Sequence, residues 1–379
     1  MLEHMNRNLL TLQFSGIRRF TALAKATPNC AMLTIGEPDF DTPDPICERA
    51  IRSLQERKTH YAPNAGDTAL REAIADFARR SNGYDYRPEE VLVTHGATEA
   101  LSTALLGILN PGDEVIVPIP AFSLYESVCT MAGAKPVLLD TAGDDFQITA
   151  EKLRACLSPR TKAIVLNSPN NPTGAVYTPQ TLDGVYEAVK DRPIFIVCDD
   201  VYEQLSYAPC PSFAARHRDL RERILVVQSF SKPYAMTGWR MGYLLGDAAV
   251  IGRLLLLHAA LIATTCSFSQ EACITALGCD VAPMREQYRR RRDYLYERLL
   301  GMGLPCVKPE GAFYAFPSIA SFGLDAEAFC RRMIQEGLVA AVPGTCFGAE
   351  GFLRLSFCYS MEELTLGLDR MERFLQSLR

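Results

Sequence analysis

The sequence lacks a long apolar run, an excess of positive charge and any paired-cysteine motif. No apolar stretch approaches the length needed to cross a bilayer. The net charge is −5, so no overall basic field is available to neutralise the phosphates of a nucleic acid. These absences argue against a membrane protein and against a protein that binds nucleic acid.

Thirteen cysteines form no CxxC pair and no metal-ligand spacing, and the N-terminus shows no secretory signal. We therefore expect reduced thiols, no bound metal and a cytoplasmic location. Internal repeats, low-complexity tracts and long charged linkers are absent as well.

One dense basic cluster is present, the run from Arg289 to Arg292. In the surrounding segment, Met284, Tyr288 and Leu295 recur at helical spacing. This pattern predicts a helix whose arginines form a solvated face.

Short apolar runs alternate with helical patterns through most of the 379 residues, which predicts an α/β fold with a mainly parallel sheet. The predicted strands are 114–118, 162–168, 194–199 and 224–229. From about residue 275 long helices precede "GAFYAFP" and "GFLRLSF", which predicts a second, smaller α+β domain. We predict a large domain at 41–275 and a small domain at 276–379, which residues 1–40 partly complete.

Three of the predicted strands end at residues that can do chemistry: Asn167 to Asn171, Asp199, and Ser229 to Lys232. In open α/β sheets, ligands bind beyond the carboxyl ends of the strands. The sequence therefore predicts a site at this edge of the sheet.

The stretch "SFSKPYAMTGWRMGY" (229–243) carries the strongest chemical signal. Lys232 follows a strand, between the hydroxyls of Ser229 and Ser231 and the cation of Arg240. Lysine forms Schiff bases with carbonyl compounds, and burial near other cations lowers its pKa. Arginine can grip a phosphate with both arms of its guanidinium. An isolated SxxK motif would be read as a surface lysine.

Asp199 ends another strand in "CDDVYEQLSY" (198–207). A carboxylate there often only caps a helix, but a pyridine cofactor needs an acid at its ring nitrogen. Tyr202 is suited to donate to a phenolic ring oxygen. We predict that Asp200 is solvated.

Three further stretches give weaker signals. Asn171 lies in "NSPNNPTG" (167–174), where a simple turn and a ligand-binding amide are equally good interpretations. Gly96 and Ala97 begin a predicted helix that runs to Leu109, and a helix N-terminus can bind an anion. Phe122 is placed either in the core or against a cofactor ring.

Taken together, these stretches resemble the class I, fold type I aminotransferases, which use pyridoxal 5'-phosphate. The resemblance rests on the order "NNPTG", "DDVY", "SFSK" with Arg240 eight residues after the lysine, and "RLSF". It extends to "SGIRRF" (15–20), "IGEPDFDTP" (35–43) and "YAPNAGDTALREAI" (61–74). It thus spans nearly the whole chain.

The resemblance implies a role for each site residue. Lys232 would form the Schiff base with the cofactor and act as the base. The other residues that would hold the cofactor are Asp199 at the ring nitrogen, Tyr202 and Asn171 at the ring oxygen, Phe122 against the ring, and Ser229, Arg240, Ala97 and Thr98 at the phosphate. Tyr61 would reach the phosphate in the other subunit of a homodimer. Arg354 would bind the α-carboxylate of the substrate, together with Asn171 and the backbone of Gly36. Ile17 would belong to a mobile N-terminal segment that closes over the substrate.

One departure from the family pattern and several alternatives bear on the substrate and the activity. The ring-stacking position is often Trp or Tyr in related enzymes, so Phe122 loses a hydrogen bond to the substrate. "KPEGAFYAFPSIASFG" (308–323) and "VPGTCFG" (342–348) are closest to the bacterial aminotransferase A branch, associated with N-acetyl-diaminopimelate and aromatic amino acids. A carbon–sulfur β-lyase and a ligand-binding regulator are the alternatives. Arg18 and Arg19 are candidates to read a second carboxylate.

Overall fold

The computed structural model describes residues 1–12 and 16–378. Ser15, at the start of "SGIRRF", and Arg379, at the end of the predicted small domain, lie outside the described residues.

The β-strands are β1 (Ala31–Met32), β2 (Val91–Thr94), β3 (Glu114–Ile119), β4 (Lys135–Asp140), β5 (Thr161–Asn167), β6 (Phe195–Asp199), β7 (Ile224–Ser229), β8 (Gly242–Leu245), β9 (Tyr314–Ala315), β10 (Val339–Ala340), β11 (Val342–Pro343) and β12 (Leu353–Ser356). The α-helices are α1 (Arg7–Thr11), α2 (Gly16–Ala26), α3 (Asp44–Gln55), α4 (Thr68–Phe77), α5 (Gly96–Ile108), α6 (Leu124–Met131), α7 (Ala150–Cys156), α8 (Pro179–Val189), α9 (Phe213–Arg216), α10 (Ala248–Ile262), α11 (Ser267–Ala276), α12 (Ala282–Gly301), α13 (Ala326–Gly337) and α14 (Met361–Ser377).

A seven-stranded sheet organises the larger part of the molecule, in the order β2-β8-β7-β6-β5-β3-β4. Every neighbouring pair is parallel except the two that involve β8. The prediction of an α/β fold with a mainly parallel sheet is confirmed. The four strands predicted from the sequence are β3, β5, β6 and β7.

The central strands are mostly buried and apolar, as is typical of strands whose two faces are both covered by helices. Along β6, Val197 packs into the core shared with α5 and α6. Its neighbours Ile196 and Cys198 point the other way and pack into the core shared with α4 and α8. This three-layer packing fixes the carboxyl ends of β5, β6 and β7 side by side.

The C-terminal part contains a three-stranded antiparallel sheet, β11-β12-β9, together with α12, α13 and α14. Strand β1 pairs in parallel with β10, through Ala31 with Val339 and Met32 with Ala340. The chain before α3 is therefore attached to the C-terminal part, and residues 33–43 lead from it to the large sheet.

The prediction that Arg289 to Arg292 form one solvated face is wrong for half of the run. Arg289 and Arg290 pair with Glu286 on the exposed side of α12, but Arg291 and Arg292 are buried. Four consecutive residues cover most of the circumference of an α-helix, so they cannot all point to solvent. Arg291 instead binds both oxygens of Asp39, at 2.7 and 2.8 Å, and holds the linking segment to α12.

Within the described ranges, none of the helices has both the length and the apolar character that a membrane span requires.

Candidate active site

A cavity of about 270 Å³ lies at the carboxyl ends of β5, β6 and β7 and continues to β12. Apart from Tyr61, every residue that the sequence predicted for the site lines this cavity. The lining residues are Ile17, Gly36, Ala97, Thr98, Leu101, Phe122, Leu124, Tyr125, Asn167, Asn171, Asp199, Val201, Tyr202, Ser229, Ser231, Lys232, Arg240, Tyr314 and Arg354.

Lys232 follows β7 and is partly buried among apolar and aromatic groups. Its Nζ donates a hydrogen bond to the carbonyl oxygen of Gly36 at 2.7 Å. Burial lowers the pKa of Lys232 to about 8. Cys358 and Glu37 oppose this decrease, and the smaller effects of the Arg240 and Arg354 charges add to it. The side chain is thus an amine that can lose its proton near neutral pH.

Asp199 ends β6 with its two carboxylate oxygens in different environments. Oδ2 accepts a hydrogen bond of 2.6 Å from the hydroxyl of Tyr125, whereas Oδ1 is buried and has no hydrogen-bond partner within the described part of the chain. Burial raises the pKa of Asp199 to about 6, against the opposing effects of the Tyr125 bond and of a backbone bond from Val201. The arrangement leaves one anionic oxygen free for a cationic ligand group.

Tyr125 was not predicted from the sequence. The sequence carries a weak signal, because Tyr125 follows Phe122 by three residues, or about one helical turn. In the structure the two rings meet edge to face at 6.2 Å. The choice of Asp199 as its hydrogen-bond partner depends on how α6 packs on β3 and β4 at the edge of the site, which the spacing does not reveal.

The prediction that Asp200 is solvated is wrong. Asp200 is buried, and its Oδ2 accepts a hydrogen bond of 2.8 Å from Tyr84. Consecutive side chains of an extended segment point to opposite faces, so Asp200 enters the core on the side away from the cavity. Burial and the neighbouring Glu203 raise the pKa of its carboxyl.

Arg354 lies on β12, buried between the rings of Tyr314 and Phe347 at 4.5 and 4.9 Å. Its guanidinium donates to the side-chain oxygen of Asn171 at 3.0 Å and to the carbonyl of Thr34 at 2.6 Å. Both acceptors are neutral, so the positive charge is not cancelled by any described carboxylate. A buried guanidinium held in this way is suited to bind an anionic ligand group.

An anion site is formed where α5 begins at Gly96. A Cβ on Gly96, which has φ +74°, would lie 2.5 Å from Nη2 of Arg240, so only glycine lets the guanidinium come so close. The first-turn N–H groups of α5 and the hydroxyl of Ser229 face the same cavity. Together they provide the donors and the charge that a phosphate requires.

The remaining wall is apolar and consists mainly of Ile17, Leu124 and Phe122. Arg18 and Arg19, the candidate readers of a second carboxylate, are exposed and do not line the cavity. Arg19 forms an ion pair with Glu327.

Tyr61 is the one predicted site residue that the fold does not bring to the cavity. It is 92% exposed and lies in a separate concavity together with Thr264, Cys266 and Phe268. Within one chain it therefore cannot contact a ligand beside Lys232.

Tyr314, the first residue of β9, is a second site residue that the sequence did not indicate. Its hydroxyl lies 3.0 Å from the hydroxyl of Tyr202. From the sequence, "GAFYAFP" contributed only to the prediction of a second, smaller α+β domain, because which of its residues faces the site depends on the pairing of β9 with β12.

Comparisons with known proteins agree with this geometry. The family model described as aminotransferase class I and II matches residues 28–371. The probable N-acetyl-LL-diaminopimelate aminotransferase of Bacillus subtilis is 40% identical over 100% of this chain and 98% of its own. The aromatic-amino-acid aminotransferase 2 of Thermococcus litoralis is 37% identical, with 96% of each chain covered. The Thermus thermophilus aspartate aminotransferase solved with maleate is 37% identical and superimposes with a TM-score of 0.93, over 98% of this chain and 99% of its own.

The matched residues include the whole cavity except Ile17, and the solved relative shares the fold over nearly the full length. The chain therefore belongs to the class I and II aminotransferases, a family of enzymes that depend on pyridoxal 5'-phosphate.

Proposed function

We propose that this cavity holds pyridoxal 5'-phosphate and an amino acid together, and that Lys232 moves the proton at the Cα atom of the amino acid. Three groups around one cavity carry the proposal. They are an amine with a pKa of about 8 on Lys232, a carboxylate oxygen of Asp199 without a partner, and the Arg354 guanidinium without a described counter-ion.

The residues present fit the cofactor. The free Oδ1 of Asp199 suits a protonated ring nitrogen. Because residue 96 is a glycine, the Arg240 guanidinium can lie close to the start of α5, where its positive charge suits a phosphate. When bound, the cofactor withdraws electrons from the Cα atom of the substrate and so makes its proton removable.

A different group of residues would bind each part of the cofactor. Arg240, Ser229 and the first-turn amides of Ala97 and Thr98 would bind the phosphate. Asp199 would bind the ring nitrogen, Tyr202 and Asn171 the ring oxygen, and Phe122 the face of the ring. All of these side chains or backbone groups line the one cavity.

The substrate would be held by its α-carboxylate. The planar guanidinium of Arg354 can donate two parallel hydrogen bonds to it, with the amide of Asn171 and the backbone of Gly36 beside it. Ile17 would cover the outer side. A carboxylate bound here would orient the Cα–H bond toward Lys232.

Lys232 would then accept the proton and return it at a different atom. With a pKa of about 8, a substantial fraction of the amine is neutral at physiological pH, which a general base requires. The amino group leaves one amino acid as its 2-oxo acid is formed and later joins a second 2-oxo acid. Because both compounds carry the same α-carboxylate, both can use Arg354 in turn.

We propose an aromatic amino acid as the preferred donor. The charged residues that line the cavity are Asp199, Lys232, Arg240 and Arg354, and each already has a role. The wall left for the donor's side chain is apolar, so a second carboxylate buried there would lack a partner. Arg18, which is exposed and lies outside this cavity, is kept as the candidate cation for the distal carboxylate of the longer 2-oxoglutarate.

We also propose a homodimer in which Tyr61 reaches the phosphate site of the other subunit. Next to the concavity of Tyr61, helix α10 exposes Leu256 and Leu261, which are 61% and 53% accessible. Such apolar residues favour an interface.

We propose further that the chain divides into a large domain at 41–275 and a small domain at 276–379, which residues 1–40 partly complete. The thirteen free cysteines support a cytoplasmic location.

A panel of amino donors with 2-oxoglutarate as acceptor tests the proposal, with glutamate formation as the measurement. We expect kcat/KM for phenylalanine and tyrosine to exceed that for aspartate by roughly tenfold or more, since burial of an aromatic side chain contributes about 1.5–3 kcal/mol. N-acetyl-LL-diaminopimelate belongs in the panel, and Lys232→Ala is the inactive control.

A preference for aspartate would contradict the proposed substrate class. Release of pyruvate and ammonia from cystathionine as the main activity would identify a carbon–sulfur β-lyase. Absence of turnover with every donor would favour a ligand-binding regulator.

A further inference from the structure

The two hydroxyls of Tyr202 and Tyr314 form a buried pair across the cavity. They lie 3.0 Å apart, and the two residues are 5% and 2% exposed. Tyr202 follows β6 in the large sheet, whereas Tyr314 begins β9 of the three-stranded sheet. The contact therefore connects the two sheets of the molecule inside the site.

The direction of the hydrogen bond follows from the number of protons. Each tyrosine hydroxyl has one proton to donate. If Tyr202 donates its proton to a ligand oxygen, its own oxygen can only accept from Tyr314. The backbone of Gly36 also passes close to this pair. A Cβ on Gly36 would lie 1.9 Å from the Tyr314 hydroxyl oxygen, so a glycine at this position leaves room for the hydroxyl.

Tyr314 also supports the arginine of the proposed carboxylate site. The Arg354 guanidinium carbon lies 4.5 Å from the centre of the Tyr314 ring, and Ser356 of the same strand pairs with Tyr314. One side chain thus contacts both the carboxylate-binding group and the residue assigned to the ring oxygen.

Both hydroxyls of the pair keep their protons near neutral pH, because burial raises the pKa of each tyrosine. Burial raises the pKa of Tyr314 to about 12, and the positive charge of Arg354 opposes this increase. The pKa of Tyr202 is also raised, by burial first. The other titratable groups that face the pair are Asp199 from β6, Cys358 after β12, and Lys232 after β7. Tyr314 therefore has a proton to donate to the oxygen of Tyr202 once Tyr202 donates to a ligand.

We infer that Tyr314 is a positioning residue that strengthens the hydrogen bond from Tyr202 to the cofactor's ring oxygen. Tyr314 also makes the strength of this bond depend on whether a carboxylate is bound to Arg354. The inference rests on the proposed function. Hydrogen bonds in a chain polarise one another, so donation from Tyr314 makes Tyr202 a stronger donor. A carboxylate bound to Arg354 offsets the positive charge above the Tyr314 ring and weakens that donation.

The test uses the cofactor-loaded enzyme and follows the pH at which its visible absorption changes. Less donation to the ring oxygen leaves more negative charge on the cofactor, which then holds its own proton more tightly. Tyr202→Phe should therefore raise the transition pH. Tyr314→Phe should raise it by about half a pH unit, the equivalent of part of one hydrogen bond. The double variant should behave like Tyr202→Phe alone.

A probe of the coupling is 3-phenylpropionate, which carries a carboxylate and an apolar side chain but no amino group. It should shift the transition less in Tyr314→Phe than in the unaltered enzyme. The phenylalanine ring remains under Arg354, so the KM for amino donors should change less than threefold while kcat falls.

Tyr288→Phe is the matched control. Tyr288 is buried, packs on Phe313 at 5.5 Å, and its hydroxyl has no hydrogen-bond partner among the described residues. It should leave the transition pH unchanged.

Three outcomes would overturn the inference. If Tyr202→Phe shifts the transition and Tyr314→Phe does not, the link is wrong but the proposed site stands. If the two shifts add in the double variant, Tyr314 does not act through Tyr202. If Tyr202→Phe has no effect, the assignment of Tyr202 itself fails, and the link with it.

Discussion

The buried carboxylate of Asp199 lowers the free energy of unfolding when the cofactor is absent. Asp199 is buried with one oxygen unpaired, and its pKa is raised from 3.8 to about 6. The folded protein therefore binds a proton more tightly at this carboxyl than the unfolded chain does. Below pH 4 both states are protonated and no penalty exists; as the pH rises from 4 to 6 the penalty appears, and above 6 it is complete.

Asp199→Asn should therefore stabilise the cofactor-free protein at pH 7.5. A pKa difference of two units corresponds to roughly 2–3 kcal/mol. The melting temperature should rise at pH 7.5, and the gain should shrink as the pH falls toward 4. With cofactor bound the order should reverse, since the variant cannot neutralise the ring nitrogen.

Asp191→Asn is the control, because Asp191 is exposed. It should leave the melting temperature unchanged under all these conditions. Equal melting of cofactor-free Asp199→Asn and unaltered protein at pH 7.5 would show that the buried carboxylate costs nothing.

Arg354 offers a second residue-level test. Lysine keeps the positive charge but loses the planar fork that matches a carboxylate. Arg354→Lys should raise the KM for amino donors by roughly 10- to 100-fold, the equivalent of about 1.5–3 kcal/mol for a charged hydrogen bond. Its affinity for the cofactor, measured by fluorescence titration, should remain within about threefold of the unaltered value.

Arg240→Lys should show the converse pattern, because Arg240 lies at the proposed phosphate site beside Gly96 rather than at the proposed carboxylate site. It should weaken the cofactor and affect the amino donor less. If both variants weakened the same ligand, the separation of the two sites would be incorrect.

At the level of elements, helix α5 combines a glycine start with an arginine from another segment. Gly96→Ala would introduce a Cβ both at positive φ and 2.5 Å from Arg240. We expect a loss of about 1–2 kcal/mol in the free energy of unfolding from the backbone alone. We also expect a much weaker affinity for the cofactor, measured by equilibrium titration.

Gly112→Ala separates these two effects. Gly112 has φ +89°, but a Cβ there would meet nothing within 4 Å. The variant should lose similar stability and keep its affinity for the cofactor. If Gly96→Ala also kept its cofactor affinity, α5 would not form the phosphate site.

The elements also show how far the sequence could predict the site. Lys232 and Asp199 were predictable because both follow buried apolar strands, whose parallel ends must meet at one edge of the sheet. Tyr125 and Tyr314 were not, because a tyrosine reveals its hydrogen-bond partner only when two elements have packed. The burial of Asp200 and Arg291 was missed for the same reason: each is satisfied by a partner distant in sequence, Tyr84 and Asp39 respectively.

At the level of the whole molecule, three separate parts of the chain meet at one cavity. Asp199 ends β6 and Lys232 follows β7 of the large sheet. Arg354 and Tyr314 belong to the three-stranded sheet, and Gly36 to the segment between the two sheets. Arg291 holds that segment through its paired bonds to Asp39. A substrate that touches all three parts would favour their closure and exclude water.

The proposed homodimer can be tested by mixing two variants of the protein. Lys232→Ala protomers and Tyr61→Ala protomers are combined and allowed to exchange subunits. In each heterodimer one site collects both lesions and the other is unaltered, provided that Tyr61 serves the opposite subunit. Activity should therefore exceed that of either parent. No gain in activity, although exchange is confirmed by mass spectrometry, would contradict the shared site.

The central claim is that Lys232 binds the cofactor covalently, and borohydride reduction tests it most directly. Borohydride converts the double bond between a lysine nitrogen and the cofactor's aldehyde carbon into a stable secondary amine. The purified protein should be yellow and lose its visible absorption on reduction. Peptide mass spectrometry should then find the cofactor's mass on Lys232, whose Nζ faces the cavity beside Asp199 and Arg240. A reduced adduct on any other lysine, with Lys232 unmodified, would contradict the account.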